Sequence, residues 1–210
     1  MNTPDTFNTL SFRLRQMLFG WGGVGIVYNL SDRFQGPGQV LDPGFIDRLI
    51  PYSPHAVWPY LSFFLIIPLA FLTCPAERLR WLRSGFQVAA LAAGTVFMLW
   101  PTTLVYPDYA GAGLSSTLLA GLLAVDSAQN CFPSLHMALT TLAILALDDP
   151  RRPLRKLLLW AWGALIGFSI LQLRRHLAID LVSGVALGFA AAWLCRRWLA
   201  PTTVTQGAPS

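Results

Sequence analysis

The chain has 210 residues, of which 54% are hydrophobic and only 12% charged. A soluble domain of this size carries about 25% charged residues, so the balance excludes an ordinary water-soluble enzyme and points to lipid as solvent. The net charge of +5 is scattered over short connections rather than gathered on one patch, which excludes a nucleic-acid footprint.

The length suits one compact bundle, expected over 1–200, with a disordered Thr/Pro-rich tail over 201–210. Three well-separated cysteines, Cys74, Cys131 and Cys195, show no metal-ligand spacing and no disulfide framework. The N-terminus is polar and lacks an apolar stretch with a basic flank, so no cleaved signal peptide is expected.

Residues 1–12 read as a short tail, with Arg13 and Arg15 at a membrane edge. The first apolar run, 14–30, carries Gly20, Gly22, Gly23 and Gly25, which permit close helix approach. Within the polar stretch 31–56, Asp42-Pro43-Gly44 has the form of a helix start. After it Phe45, Ile46, Leu49 and Ile50 share one face, with Asp47 and Arg48 opposite. A short interfacial helix or a loop packed on the bundle fits that pattern equally. The run 57–74 is a strong span with Trp58 and Tyr60 as an aromatic belt. Arg78, Arg80 and Arg83 follow in what reads as a loop, and 86–106 forms a third span that Pro101 kinks or ends.

Residues 107–132 read as exposed, with leucines at 114, 118 and 122 forming a second interfacial helix that leads to Asp126. A short fourth run, 133–147, is followed by a charged turn and by fifth and sixth spans at 157–173 and 177–194. The expected fold is therefore all-α: an integral membrane six-helix bundle with short interfacial helices in the extracytoplasmic loops. Alternation puts 11 of the 15 Lys and Arg residues on the side of the two termini, which marks that side as cytoplasmic. His136 and His176 then open at the other face. Placement in a bacterial inner membrane, with the site facing the periplasm or outside, follows as the expectation.

Those histidines are the chemistry in the chain. His176 and Asp180 are four apart, hence on one face of a helix. A carboxylate there can fix the imidazole tautomer and leave the second nitrogen free to attack. His136 adds a second titrating group, Ser134 a hydroxyl, Arg174 and Arg175 cationic donors, and Asn130 and Asp126 further polar groups. Backbone N–H groups at the start of the fourth helix can face an anion. Such a set suits a phosphate ester, with an in-line nucleophile, a proton donor and neutralising charge. Ionisable groups near a bilayer face default to function, although Arg174 and Arg175 can also anchor helix ends, and Asn130, Asp126 and Ser134 can also cap loops and helices. A metal site of His136, His176 and Asp180 has suitable ligand types but too few ligands to compete with the phosphoryl reading.

The segments Asn-Cys-Phe-Pro-Ser-Leu-His-Met-Ala (130–138) and Arg-His-Leu-Ala-Ile-Asp-Leu-Val-Ser-Gly (175–184) resemble the second and third signatures of the type 2 phosphatidic acid phosphatase superfamily. The Pro-Ser-Leu-His form resembles the branch that contains inositol phosphorylceramide synthases. The resemblance implies that His176 attacks phosphorus with Asp180 as partner, giving a phosphohistidine. It implies that His136 protonates the leaving alcohol and then activates water or an acceptor hydroxyl, with no metal and no cofactor. The substrate so implied is a membrane lipid, either a phospholipid or a prenyl phosphate, with an alcohol acceptor if the reaction is transfer. Two departures stand out. The first signature is absent, since the only lysine, Lys156, lies on the wrong side. In the third, Ser169 matches but Ile170 replaces the usual arginine, so the phosphate clamp is incomplete by the family pattern, with Arg174 or Arg175 close enough in sequence to stand in. A lipid-binding or transport protein of the same fold, with reduced or no catalysis, is the alternative.

Overall fold

The computed structural model describes residues 9–109 and 111–199. The predicted tail at 201–210 and the first eight residues of the N-terminal tail lie outside them. The chain begins with one rod made of α1 (Leu10–Met17), a π-helical segment (Leu18–Gly22) and α2 (Gly23–Phe34). Next come α3 (Phe45–Leu49), a 3-10 turn (Pro54–Ala56), α4 (Val57–Leu61), α5 (Phe63–Thr73) and α6 (Ala76–Leu99). The second half is α7 (Leu114–Leu123), α8 (Leu135–Leu147), α9 (Pro153–Gln172) and α10 (Ala178–Leu199). Strand among the described residues is a two-residue parallel pairing of β1 (Gln39–Val40) with β2 (Thr102–Thr103).

Four helical stretches are long and apolar enough to cross a membrane: Pro54–Thr73, Ala76–Leu99, Pro153–Gln172 and Ala178–Trp198. They mark the chain as a membrane protein. The other two expected crossings, 14–30 and 133–147, fall on the π-interrupted rod and on α8. With 13 residues, α8 is about 20 Å long, shorter than a hydrocarbon layer of about 30 Å. It is apolar all round because it is surrounded, packing against α5, α6, α9 and α10. Its far end is tied by Arg78, which donates to the carbonyls of Ala146 (3.1 Å) and Asp148 (2.6 Å).

Three local expectations change. Arg78, Arg80 and Arg83 lie inside α6 rather than in a loop, because Leu79, Leu82 and Phe86 place a buried stripe between them. The same helix stops at Leu99, since Trp100 precedes Pro101 and turns to an extended φ of −143°. The short helix after Asp42 starts later, at Phe45 with Gly44 as its cap. Asp47 is not on a solvent face: it is 4% exposed, accepting from Gly44 N (2.9 Å) and from Ala178 N (2.7 Å) at the start of α10. Its neighbours Phe45, Ile46 and Leu49 point outward instead.

The approach of α10 to α8 decides where the site forms. A Cβ on Gly184 would strike the Ser134 carbonyl oxygen, and one on Gly188 would come within 2.8 Å of the Ala138 carbonyl oxygen. Both obstacles are backbone, so the helices touch through their glycines. Gly184→Ala should force them apart and lower stability by about 1–3 kcal/mol, read as a fall in unfolding temperature together with activity. Gly121→Ala, which meets open space, is the control.

Candidate active site

The turn between α9 and α10 aims three consecutive side chains in different directions. Arg174 adopts a positive φ of 57°, which reverses the chain after Leu173. Its guanidinium donates outward to the carbonyls of Asp47 and Ile50 and so holds the 42–50 segment in place. Arg175 turns inward. Its Nε and Nη2 donate to one carboxylate oxygen of Asp126 at 3.1 and 2.9 Å, and Nη2 also donates to the Ser127 carbonyl at 2.6 Å. The guanidinium lies 4.9 Å from the centre of the Tyr106 ring, a cation–π distance.

His176 comes next and is 7% exposed. Its Nδ1 lies 3.5 Å from Asp180 Oδ2. That is longer than a hydrogen bond, and neither Nδ1 nor the other Asp180 oxygen has a bonding partner. The carboxylate therefore faces the ring without gripping it, a spacing that tightens in many enzymes only when substrate arrives. Asp180 is fully buried and held from two sides. Its Oδ2 accepts from Leu177 N at 2.8 Å, and its carbonyl accepts from Ser134 N at 3.0 Å. The second of these bonds ties the 130–136 motif to α10.

His136 stands on the first turn of α8, its ring centre 5.8 Å from that of His176 at an angle of 67°. The Tyr60 hydroxyl sits 2.8 Å from His136 Nε2 and 3.5 Å from Asp126 Oδ2. Asp126 Oδ1 accepts from the Tyr28 hydroxyl at 2.6 Å. Asp126 is thus a hub that joins Arg175 to the phenol touching His136. Burial by itself would raise its carboxyl, but Arg175, aided by His136 and the Tyr28 hydroxyl, outweighs burial and holds Asp126 below the usual carboxylate range. Burial would likewise lower Arg175; Asp126 reverses that and raises the guanidinium above its usual value.

His136, His176, Asp180 and Arg175 come together, and Ser134 adjoins them. The Ser134 hydroxyl is fully buried without a partner and forms no helix cap. Asn130 is buried beside them at a φ of 55°; its amide donates to the Tyr28 carbonyl at 3.2 Å, and its side-chain oxygen is unpartnered. Arg174 is directed elsewhere. Arg174→Gln should therefore lower the unfolding temperature and leave KM for a phosphate ester unchanged, whereas Arg175→Gln should alter KM or kcat. Steady-state kinetics beside thermal unfolding separate the two. Among the described residues no group of three or more His, Cys, Asp or Glu side chains is arranged to hold a metal ion.

Tyr28 and Tyr60 were not legible as site residues. In sequence they belong to an apolar run and an aromatic belt, and nothing in their spacing links them to partners 66 to 98 positions away. A cleft of about 790 Å³ lies at the opposite end of α8 among Arg13, Arg78, Asp148 and Arg155, and neither His136 nor His176 lines it.

The pair of imidazoles, one beside a carboxylate, can serve as nucleophile and proton donor to one tetrahedral centre. Comparison with individual curated proteins gave no match. A family model described as the PAP2 superfamily matches residues 53–194, a stretch that runs from the turn before α4 into α10 and holds both histidines and Asp180. The chain belongs to the PAP2 superfamily, whose members are generally phosphatases.

Proposed function

We propose that the protein is a membrane enzyme that cleaves or transfers the phosphoryl-containing head of a lipid at the extracytoplasmic face, through a phosphohistidine on His176. The observation that carries this reading is the 5.8 Å separation of the His136 and His176 rings, with Asp180 behind the second. Nδ1–H of His176 turns to Asp180 and leaves Nε2 to attack phosphorus. As the bond to the leaving oxygen breaks, His136 as imidazolium delivers its proton to that oxygen. Neutral His136 then takes a proton from water or an alcohol, whose oxygen displaces His176 from phosphorus. Tyr60, donating to Asp126 and accepting from His136 Nε2–H, leaves Nδ1 of His136 to move the proton. Asp180 orients His176, while Arg175, Ser134 and Asn130 position the ester. The inositol phosphorylceramide synthase-like pattern of the motif favours a branch in which an acceptor alcohol competes with water.

The proposed setting is a six-helix bundle with both termini cytoplasmic, in which the π-interrupted rod and α8 complete the helices around the site. Incubation of the purified protein with radiolabelled phospholipids and prenyl phosphates should leave acid-labile phosphate on His176, undiminished by strong chelators. Loss of turnover with chelators would point to a metal-dependent route instead. One observation favours a second reading, a lipid-binding protein without catalysis: Arg174 is committed to the 42–50 segment and Arg175 to Asp126. Such a protein would bind the same lipids and take no label.

Asp180→Asn keeps an acceptor for the Leu177 N–H, so the start of α10 should survive. Turnover should fall about a hundredfold or more while unfolding temperature is nearly unchanged, because the tautomer of His176 is lost. A variant that fails to fold would mark Asp180 as structural.

A further inference from the structure

A cavity of about 220 Å³ opens beside His136, with no wall residue from α10 or from the turn that carries His176 among the described residues. Its walls come from four places in the chain: the π segment and α2, α4 with α5, the end of α7, and α8. Trp21, Phe63, Phe64, Leu122 and Leu139 make them hydrocarbon and ring faces. Three further polar side chains line the inner end, and all are engaged. Tyr28 donates to Asp126, Tyr60 is bonded to His136, and Asp126 is held by Arg175. Beyond them, among the described wall residues, the Trp21 indole adds one more polar group. The cavity thus offers apolar surface directly next to the proton donor and no free set of donors for ester carbonyls or hydroxyls.

Its size is also selective. A cavity of about 150 Å³ holds a benzene, and pockets for drug-sized ligands start near 300 Å³. The space beside His136 admits one run of hydrocarbon and not two. We propose that it is the slot for the leaving alcohol, and that the substrate is a lipid whose single hydrocarbon chain is esterified directly to phosphate, an alkyl or prenyl phosphate, in preference to a diacyl glycerophosphate. This rests on the phosphoryl-transfer reading above. It adds where the alcohol lies: its oxygen meets His136, and its first carbons fill the cavity.

Gly25 supplies the means to block it, because a Cβ there meets nothing within 4 Å. Val125, 80% exposed at the rim, supplies a second site where a large side chain does not threaten folding. The full-length protein in micelles is assayed with dodecyl phosphate, dilauroyl phosphatidate and ethyl phosphate. Wild type should prefer dodecyl phosphate over phosphatidate in kcat/KM by at least about tenfold, and Gly25→Trp and Val125→Trp should each reduce the ratio of dodecyl to ethyl phosphate kcat/KM by about tenfold or more. Equal or better use of phosphatidate, or an unchanged ratio in both variants, overturns the slot. A dodecyl phosphate carrying a mid-chain diazirine is photolysed on the protein in parallel, and the adduct should map to peptides containing Val24 or Phe64. Adducts there without turnover of any ester would leave the slot standing and sink the phosphohistidine reading. Turnover with adducts elsewhere would do the reverse. Neither turnover nor adduct would remove both.

Discussion

Replacement of His176 by alanine should lower turnover at least about a thousandfold and abolish acid-labile phosphate on the protein, because the attacking nitrogen is gone. His136→Ala should behave differently in a way that fixes the roles. With an alkyl ester, the leaving alkoxide then has no proton donor and the first half-reaction stalls. With p-nitrophenyl phosphate the leaving group needs no proton, so the phosphoenzyme should still form. It should also persist, since the second half-reaction has lost its base. A burst of p-nitrophenol followed by slow turnover, together with label trapped on His176, is the expected result. Equal loss of burst and label in both variants would show that the assignment of nucleophile and acid is wrong. Full activity in either would remove that ring from the chemistry.

Asp126→Ala should be the most destabilising single change near the site. The Arg175 side chain is 5% exposed and the Asp126 side chain 11%, and the two share a 2.9 Å contact. Removal of one partner leaves a buried uncompensated charge, at a cost of about 3–5 kcal/mol. The Tyr28 and Tyr60 hydroxyls lose their acceptor at the same time, so His136 is set adrift as well. Asp126→Ala with Arg175→Met should restore much of the unfolding temperature, because an apolar pair can replace a buried ion pair, yet activity should not return. Recovery of both would reduce the pair to scaffold. The pH dependence follows from the same geometry. Asp126 ionises below the usual value of about 3.9 in the folded protein, so its contribution is present in full above that pH and is lost only as pH falls through the depressed value. Unfolding temperature in wild type should hold through mild acid and then fall, and the steepest part of that fall should be absent in the double variant.

Much of this was written in the chain. Low charge and long apolar runs announced lipid as solvent, since every backbone group in a hydrocarbon layer must be satisfied within a helix. The four-residue spacing marked His176 and Asp180 as a pair, although His176 stands in the turn before α10 and not on a face of that helix, and the two motifs carried the resemblance that the match over residues 53–194 supports at the level of the superfamily. Contacts between distant segments were not written there. Arg174 and Arg175 are equivalent in sequence, and only the positive φ at Arg174 sends one guanidinium outward to Asp47 and the other inward to Asp126. Asp47 looked like a surface charge, yet it bonds Ala178 N across the fold.

Sequence alone therefore determined that the chain is helical, that it is a membrane protein, and which residue types can carry phosphoryl chemistry, because local spacing and solvent preference act within a few residues of one another. Tertiary structure decided which of those residues meet. His136 reaches His176 because Gly184 and Gly188 let α10 touch the backbone of α8, and Tyr60 and Asp126 join them because buried polar groups in a low-dielectric interior must find partners wherever the fold supplies them.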